Sequence, residues 1–146
     1  MSGMWGTYTS ALDNKGRINI PVKVRKNLVP EDDNTFMLIR GKGKFIVMRP
    51  FTLWEKYMGS AEEKLGNGKN YEIFSRHLLK DGSQQILDKQ GRINLTKKLI
   101  DYAELDGEVQ IHTYKNRLEI WKEENYEEYL NSTRSEAEEI SDAHDL

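Results

Sequence analysis

Two arginines are the residues in this sequence best suited to bind a ligand, because each ends a copy of a short polar turn that occurs twice. Arg17 ends residues 13–17 (Asp-Asn-Lys-Gly-Arg), and Arg92 ends residues 88–92 (Asp-Lys-Gln-Gly-Arg). A guanidinium group is a planar fork of hydrogen-bond donors that matches a guanine edge or the oxygens of a phosphate. An arginine held by a rigid turn, with its guanidinium pointing outward, is suited to recognise such groups.

The two turns belong to one internal repeat. Residues 12–19 and 87–94 lie 75 positions apart and are identical at six of eight positions. An Asp at the start of a turn accepts hydrogen bonds from the backbone ahead of it, and a Gly tolerates the conformation near its end. The predicted turn-bracing residues are Asp13, Gly16, Asp88 and Gly91. The alternative is a plain hairpin turn in which each Asp only pairs with its own Arg, and the second copy makes that alternative less favoured.

The apolar pattern predicts the elements that position these turns, in the same order in each half. In the first half these are strands at 4–12 and 18–20, a helix at 22–28, a hairpin at 36–48 and a helix at 50–65. A further helix at 71–80 follows a Gly-rich break. The second half has strands at 84–87 and 93–95, a helix at 96–105, a hairpin at 109–121 and a helix at 123–130. Pro21 and Thr96 are predicted to start the two short helices, and the acidic end from 131 onward is expected to be frayed.

Each half has about 50 residues, which is too few to bury a sizeable core alone. We therefore predict an α+β fold, mainly β, in which two tandem repeats pack into one pseudo-two-fold barrel with flanking helices. Both arginine turns are expected on one face. The predicted boundaries are 6–53 for the first repeat, 54–80 for connecting helices and linker, 81–124 for the second repeat, and 125–146 for a helix and acidic tail.

Charge is unevenly distributed along the chain. Residues 119–146 hold ten acidic and two basic residues, a net charge of −8, which leaves +6 for residues 1–118 out of a total of −2. This asymmetry predicts a basic working surface kept away from an acidic tail. A solvated basic helix face is an equally good explanation of this signal alone. Near the turns we expect Lys15, Lys23 and Arg25 to contact phosphates, and Lys89 to belong to the same nucleic-acid-binding surface.

Several classes of function find no support in the sequence. His77, His112 and His144 are dispersed and there is no Cys, so we expect no disulfide, no metal site and no cofactor. Residues 41–44 (Gly-Lys-Gly-Lys) lack the spacing of a phosphate-binding loop, and a basic hairpin tip accounts for them better. No catalytic residues are predicted, and we expect no enzyme. No apolar run approaches 18 residues and no secretory signal is present, so no membrane partner is expected and a cytoplasmic location is favoured.

The doubled Asp-x-x-x-Arg turns, each inside a strand–helix–hairpin half, resemble the MraZ proteins of bacteria. That family belongs to the wider AbrB-like group of swapped-hairpin, double-psi-like barrels built from SpoVT-AbrB-type repeats. The resemblance covers about residues 6–129. It rests on Leu-Asp-Asn-Lys-Gly-Arg-Ile-Asn-Ile-Pro (12–21), Leu-Asp-Lys-Gln-Gly-Arg-Ile-Asn-Leu (87–95), the Trp-Glu helix (54–55) and Arg-Leu-Glu-Ile-Trp (117–121).

The resemblance implies a sequence-specific DNA-binding regulator of transcription, nucleoid-associated, acting on the division and cell-wall gene cluster and its own promoter. Repression is the favoured direction. It also implies ring-like homo-oligomers that bind double-stranded DNA carrying tandem direct repeats. By their positions in the motif, Asp13, Arg17, Asp88 and Arg92 correspond to the family's DNA-binding turns. Two departures are Thr96 in place of the first half's Pro21, and a polar segment at 80–85 before the second motif.

Two other classes of function remain open at this point. One is an RNA- or protein-binding basic barrel that meets an acidic partner. The strands carry no aromatic-Gly-aromatic motif of the kind on which RNA modules stack bases, which weighs against RNA. The other is a ring-forming scaffold without a nucleic-acid role, which would leave the doubled arginine turns unexplained.

Overall fold

A computed structural model describes residues 6–146, so Met4 and Trp5 of the predicted first strand lie outside the described residues. The strands are β1 (Gly6–Ala11), β2 (Arg17–Asn19), β3 (Thr35–Arg40), β4 (Phe45–Pro50), β5 (Ser83–Ile86), β6 (Arg92–Asn94), β7 (Glu108–Tyr114) and β8 (Arg117–Trp121). The helices are α1 (Val22–Arg25), α2 (Phe51–Leu65), α3 (Lys69–Leu78), α4 (Lys97–Tyr102) and α5 (Glu123–Ala143). A short 3-10 turn covers Pro30–Asp32.

The sheet topology has a pseudo-two-fold symmetry that follows the sequence repeat. Six antiparallel strands lie in the order β1-β7-β8-β4-β3-β5, and β2 pairs with β6 in a separate two-stranded sheet. If each strand is replaced by its counterpart in the other half, the same order is obtained, read from the opposite end. The pseudo-two-fold axis therefore passes between β4 and β8. The first strand of each half pairs with the hairpin of the other half: β1 with β7, and β5 with β3. Neither half is therefore complete without the other.

The α+β class is confirmed, but a closed barrel is not. Strands β1 and β5 are the two ends of the six-stranded sheet. The short strands β2 and β6 have three residues each and pair with one another, so they do not bridge those ends by hydrogen bonds. Among the described residues more lie in α-helices than in strands, so the fold is not mainly β as predicted.

The six-stranded sheet separates two apolar clusters. Along β4, Ile46 and Met48 belong to one cluster, whereas Phe45 and Val47 belong to the other, as the two-residue period of a strand requires. The first cluster includes residues of β2, β6, α1 and α4. The second includes residues of α2, α3 and α5. We call these the ribbon side and the helix side of the sheet.

The two short helices begin as predicted and end earlier. Pro21 precedes α1, and the Thr96 hydroxyl accepts a hydrogen bond from the backbone N–H of Leu99 as the cap of α4. Helix α4 ends at Tyr102 rather than near 105, because Glu104 takes a left-handed conformation with φ of 56°. Helix α1 likewise ends at Arg25 rather than near 28.

The acidic C-terminal segment is helical, and the prediction of a frayed end from residue 131 is wrong. Helix α5 continues to Ala143. No side chain in its second half is buried, but the Glu and Ala residues there have high helix propensity. The hydroxyls of Ser132 and Thr133 donate to the Tyr129 carbonyl at 2.9 and 2.7 Å. Within residues 6–146, no helix combines the length and apolar character needed to cross a bilayer.

Candidate nucleic-acid interface

Asp13 holds the first turn together with both carboxylate oxygens. Its Oδ1 accepts from the backbone N–H groups of Lys15 and Arg17, each at 2.9 Å, and its Oδ2 accepts from Arg17 Nε at 2.8 Å. Two backbone hydrogen bonds close the same loop, from Asp13 N to the Arg17 carbonyl and from Gly16 N to the Asp13 carbonyl. Gly16 has a φ of 80°, which favours glycine. The predicted role of Asp13 as a brace therefore has a direct geometric basis.

The second turn repeats this geometry contact for contact. Asp88 Oδ1 accepts from the backbone N–H groups of Gln90 and Arg92, each at 2.9 Å, and Oδ2 accepts from Arg92 Nε at 2.7 Å. Gly91 has a φ of 77°. Because the side chains at the second and third turn positions differ between the copies, the shared geometry comes from the Asp, Gly and Arg that the copies have in common.

The bracing carboxylates are ionised in this arrangement. The backbone hydrogen bond from Arg17 is the main cause that lowers the pKa of Asp13, from 3.8 to about 2. The corresponding hydrogen bond from Arg92 lowers the pKa of Asp88. Each turn therefore presents a paired carboxylate and guanidinium at neutral pH.

The arginines keep donors for another partner. The side chains of Arg17 and Arg92 are 27% and 26% exposed. Each uses Nε for its bracing Asp, and among the described residues neither Nη group of these arginines forms a hydrogen bond. Each turn therefore fixes the direction of a guanidinium whose two terminal nitrogens remain available.

Strands β2 and β6 bring the two arginines together on one surface. In the antiparallel register, Arg17 lies opposite Asn94, and Arg92 lies opposite Asn19. The intervening Ile18 and Ile93 are buried on the ribbon side of the sheet, so the flanking residues lie on the outer side of the strand pair. We call this surface the ribbon face: Arg17, Asn19, Arg92 and Asn94. Diagonal neighbours in such a pair are about 7–8 Å apart, which sets the separation of the two arginines.

Asn19 and Asn94 were missed as site residues in the sequence. Both are exposed, and both follow their arginine by two positions in the identical Arg-Ile-Asn stretches. The signal was available, since residues two apart on a strand share a face. Recognising it required knowing that the two stretches pair with each other.

Each turn is also tied to the other half of the chain. The backbone N–H of Ile20 donates to the Gly91 carbonyl at 2.9 Å, and that of Leu95 donates to the Gly16 carbonyl at 2.7 Å. The strand that leaves one turn is therefore hydrogen-bonded to the other turn. These reciprocal bonds hold the two arginines in a fixed relative position.

The other predicted nucleic-acid-binding residues differ in how exposed they are. Lys15 and Lys89 are exposed within the two turns, and Lys23 is exposed on α1. Among the described residues none of these lysines forms an ion pair. Arg25 is half-buried, and its Nε donates to the Ile20 carbonyl at 2.9 Å. Its guanidinium lies against the backbone of Gly91, so Arg25 contacts the second turn although it belongs to the first half.

The acidic helix lies on the other side of the sheet. Tyr126 of α5 packs with Trp121 in the cluster on the helix side, and the ring centroids are 5.1 Å apart. The ribbon face covers the opposite side. The first turns of α5, with their glutamates, therefore lie on the side of the sheet opposite the ribbon face.

The fold and the paired turns define a class: duplicated α+β proteins that exchange their first strands and carry one Asp-x-x-x-Arg turn in each half. The family model described as "MraZ protein, putative antitoxin-like" matches residues 4–73 and 78–145. The chain belongs to the MraZ family, as the resemblance in the sequence indicated.

Curated relatives match almost the whole chain. A protein of Natranaerobius thermophilus is 36% identical over 137 residues, which cover 94% of this chain and 93% of the relative. A protein of Pediococcus pentosaceus is 34% identical over 137 residues, with the same two shares, 94% and 93%. A protein of Halothermothrix orenii is 34% identical over 138 residues, 94% of each chain. Each of the three is named "Transcriptional regulator MraZ".

Proposed function

We propose that the protein is a sequence-specific, DNA-binding transcriptional regulator. It reads short tandem repeats through its doubled Asp-x-x-x-Arg turns and represses the division and cell-wall gene cluster, including its own promoter. The observation that carries the proposal is the ribbon face, with two braced arginines and two asparagines on a two-stranded antiparallel ribbon. The names of the relatives support the regulatory role.

The dimensions and chemistry of the ribbon face fit the major groove. That groove is about 12 Å wide and admits a two-stranded β-ribbon. Arginine pairs with the O6 and N7 atoms of guanine, and asparagine pairs with the N6 and N7 atoms of adenine. We propose that Arg17 and Arg92 contact guanines through their Nη groups, while the surrounding lysines and Arg25 contact phosphates.

The acidic helix is compatible with this role because of where it lies. DNA repels a surface with a net negative charge, and α5 carries most of the chain's excess acid. Its packing on the helix side keeps that charge away from the ribbon face. The exchange of β1 and β5 between halves also supports the proposal that the fold is related to swapped-hairpin barrels.

We further propose that the chain acts as a ring-like homo-oligomer. Two arginine turns give one chain a small footprint, whereas specific DNA interfaces bury upward of about 1,000 Å² of protein. Tyr129 and Leu130 on α5 are 51% and 40% exposed, which supports a further contact with a second copy. Linked copies on successive repeats would gain affinity by about 10²–10⁴-fold without new contacts.

The experiment that tests DNA binding is fluorescence anisotropy with DNA from the region upstream of the gene that encodes this chain. Three labelled probes of equal length are compared: that duplex, a scrambled duplex and an RNA of the same charge. We expect the upstream duplex to bind tightest, with a log–log salt slope of about −0.9 for each phosphate contacted. Equal affinity for all three probes, or affinity that does not change between low and physiological salt, would contradict the proposal.

The oligomer has its own test, which uses DNA duplexes that carry tandem copies of the recognition sequence. The number of copies is reduced from four to one, and in a separate duplex half a helical turn of DNA is inserted between copies. Both changes should lower affinity steeply. A monomer in solution, or equal affinity for one repeat and four, would exclude the contribution of linked copies.

A further inference from the structure

A second group of cations lies on the helix side of the sheet, away from the ribbon face. A cavity of about 310 Å³ opens between α2 and the β7–β8 hairpin. Four of its lining residues are basic and none is acidic; the basic residues are Arg49, Lys56, Lys115 and Arg117. Tyr57 and Ser60 add hydroxyl groups to the same wall. This concentration of positive charge is not explained by DNA binding through the ribbon face.

Arg49 is the unusual residue in this cavity. It is only 7% exposed, and its guanidinium carbon lies 3.9 Å from the centroid of the Tyr57 ring. Its Nη1 atom is buried, and among the described residues it has no hydrogen-bond partner. Burial lowers the pKa of Arg49. A buried charged donor without a partner costs stability, so an anion placed against the Arg49 guanidinium would be favoured.

The nearby carboxylate does not supply that partner. Glu119 Oε2 accepts from Arg117 Nη2 at 2.6 Å and from Arg117 Nε at 2.9 Å. Its Oε1 accepts from the indole N–H of Trp121 at 3.0 Å. Both oxygens of Glu119 are therefore already engaged, and no carboxylate within residues 6–146 is bonded to Arg49.

We propose that this cavity binds a phosphate-bearing small molecule, whose oxygens accept a hydrogen bond from the Arg49 guanidinium and pair with Lys56 and Lys115, beside the Arg117–Glu119 ion pair. The volume is at the lower end of the range for small-molecule sites, about 300–1,000 Å³. It accommodates a phosphate with a small organic group, and the Tyr57 ring provides an apolar wall.

The position of the cavity gives its ligand a structural consequence. Arg49 lies in β4 of the first half, whereas Lys115 and Arg117 belong to the hairpin of the second half. A bound phosphate would therefore bridge the two halves of the chain. The site and the ribbon face lie on opposite sides of the sheet, so each is testable without the other.

The test uses the full chain with inorganic pyrophosphate as the probe, at constant ionic strength maintained with potassium chloride. Thermal unfolding and ³¹P line width are measured as the probe is titrated. We expect a saturable rise in Tm and broadening of the ³¹P signal, because a ligand that binds only the folded state stabilises it. Arg49→Met should weaken binding about ten-fold or more, as expected for loss of a hydrogen bond to a charged group. Without probe, its Tm should equal or exceed that of the wild type.

Two further variants keep the test decisive. Lys115 is exposed, so the Lys115→Gln variant should fold. It should weaken pyrophosphate binding, and this result does not depend on whether Arg49→Met folds. Lys69→Gln on α3 removes an exposed cation outside the cavity and should bind as the wild type does. An equal response in all variants would mean non-specific ion binding and would overturn the proposal.

A second copy of the chain is the competing occupant, because α5 is acidic. A peptide of residues 123–143 is therefore titrated in place of pyrophosphate. If that peptide binds more tightly than pyrophosphate and loses affinity in Arg49→Met, the cavity takes carboxylates of another subunit and the small-molecule proposal is wrong.

Discussion

The guanidinium group of Arg25, in the first half of the chain, lies against the backbone of Gly91 in the second half. A Cβ atom on Gly91 would lie 2.6 Å from the Arg25 guanidinium carbon, so this position has no room for a side chain while Arg25 stays in place. The residue 75 positions after Arg25 is Ile100, and its Cδ1 lies 3.4 Å from the Cβ position of Gly16. The two turns therefore share an internal geometry but not their surroundings, and this asymmetry leads to a first prediction.

Gly16→Ala should destabilise the fold more than Gly91→Ala. Both glycines have positive φ, which costs a non-glycine residue roughly 1–2 kcal/mol. At Gly16 the new methyl group also meets the backbone carbonyl of Leu95 at 2.9 Å, and that backbone is hydrogen-bonded to the turn. At Gly91 the obstacle is the end of the flexible Arg25 side chain, which can move. Urea unfolding of the two variants measures the difference in free energy.

Gly59→Ala is the matched control for this series. Gly59 lies inside α2 and a Cβ there would contact nothing within 4 Å. Replacing it with Ala should stabilise the protein by about 0.5–1 kcal/mol, because Gly is a poor helix former. If Gly16→Ala and Gly91→Ala lowered the free energy of unfolding equally, the backbone at Leu95 would have to move away from the new methyl group as easily as the Arg25 side chain does.

The second prediction separates base recognition from phosphate contact. Arg17→Ala should weaken binding to the specific duplex by about 1–3 kcal/mol and relax the preference at one base position. Lys15→Gln should weaken binding to specific and scrambled duplexes alike, with a salt slope smaller by about one. Anisotropy titrations at several salt concentrations measure both effects.

Asp13→Ala completes that series. It leaves Arg17 in the chain but removes the carboxylate that orients it, so affinity should fall although no contacting residue is lost. If Arg17→Ala binds specific and scrambled DNA as the wild type does, the pairing of Asp13 and Arg17 has only a structural role.

The parts of this molecule that depend on nearby residues were predictable from the sequence. The turns, their bracing by Asp13 and Asp88, the Thr96 cap and the order of strands and helices all follow from residues a few positions apart. Such local signals need no knowledge of the tertiary fold. The repeat also predicted two related halves, and the strand order reads the same from either end when the halves are exchanged.

What was missed depends on contacts between distant residues. The pairing of Ile18 with Ile93 places Asn19 and Asn94 beside the arginines, and no local pattern specifies that pairing. The burial of Arg49 likewise depends on a hairpin from the other half. The length of α5 was missed for a different reason, since scarcity of apolar residues was taken as disorder although Glu and Ala make up five of the thirteen residues at 131–143.

The third prediction concerns acid unfolding. The pKa of Asp13 is about 2 in the folded protein, against the ordinary value of 3.8. The folded state therefore holds this proton less tightly than the unfolded chain does. The stabilisation is fully present above pH 3.8, and it is lost as the pH falls from there toward 2. Asp88 acts in the same direction, because its pKa is also lowered.

Urea unfolding between pH 5 and 2 measures this loss. The free energy of unfolding of Asp13→Asn should fall less steeply over that interval than that of the wild type. Glu63→Gln, which changes an exposed acid on α2, should keep the wild-type steepness. Identical pH profiles for Asp13→Asn and the wild type would show that the hydrogen bonds of the first turn do not hold the carboxylate ionised.

The fourth prediction follows from the ribbon face and concerns bases that the arginines do not read. Asn19 lies opposite Arg92, and Asn94 lies opposite Arg17, so each arginine has an asparagine about 4.5–5.5 Å away across the strand pair. The Asn side-chain amide pairs with the N6 and N7 atoms of adenine. We therefore expect each half-site to include an adenine beside its guanine.

Binding to duplexes with every single substitution in one repeat tests this arrangement. Asn94→Ala should cost about 1–3 kcal/mol on the preferred duplex and lose discrimination at one position, leaving the guanine preference of Arg17 intact. Asn19→Ala should do the same at the position next to the guanine read by Arg92. Asn70→Ala on α3 is the control and should bind as the wild type does. If both ribbon variants keep the full base preference, the asparagines face solvent in the complex, and specificity comes from the arginines and the shape of the DNA.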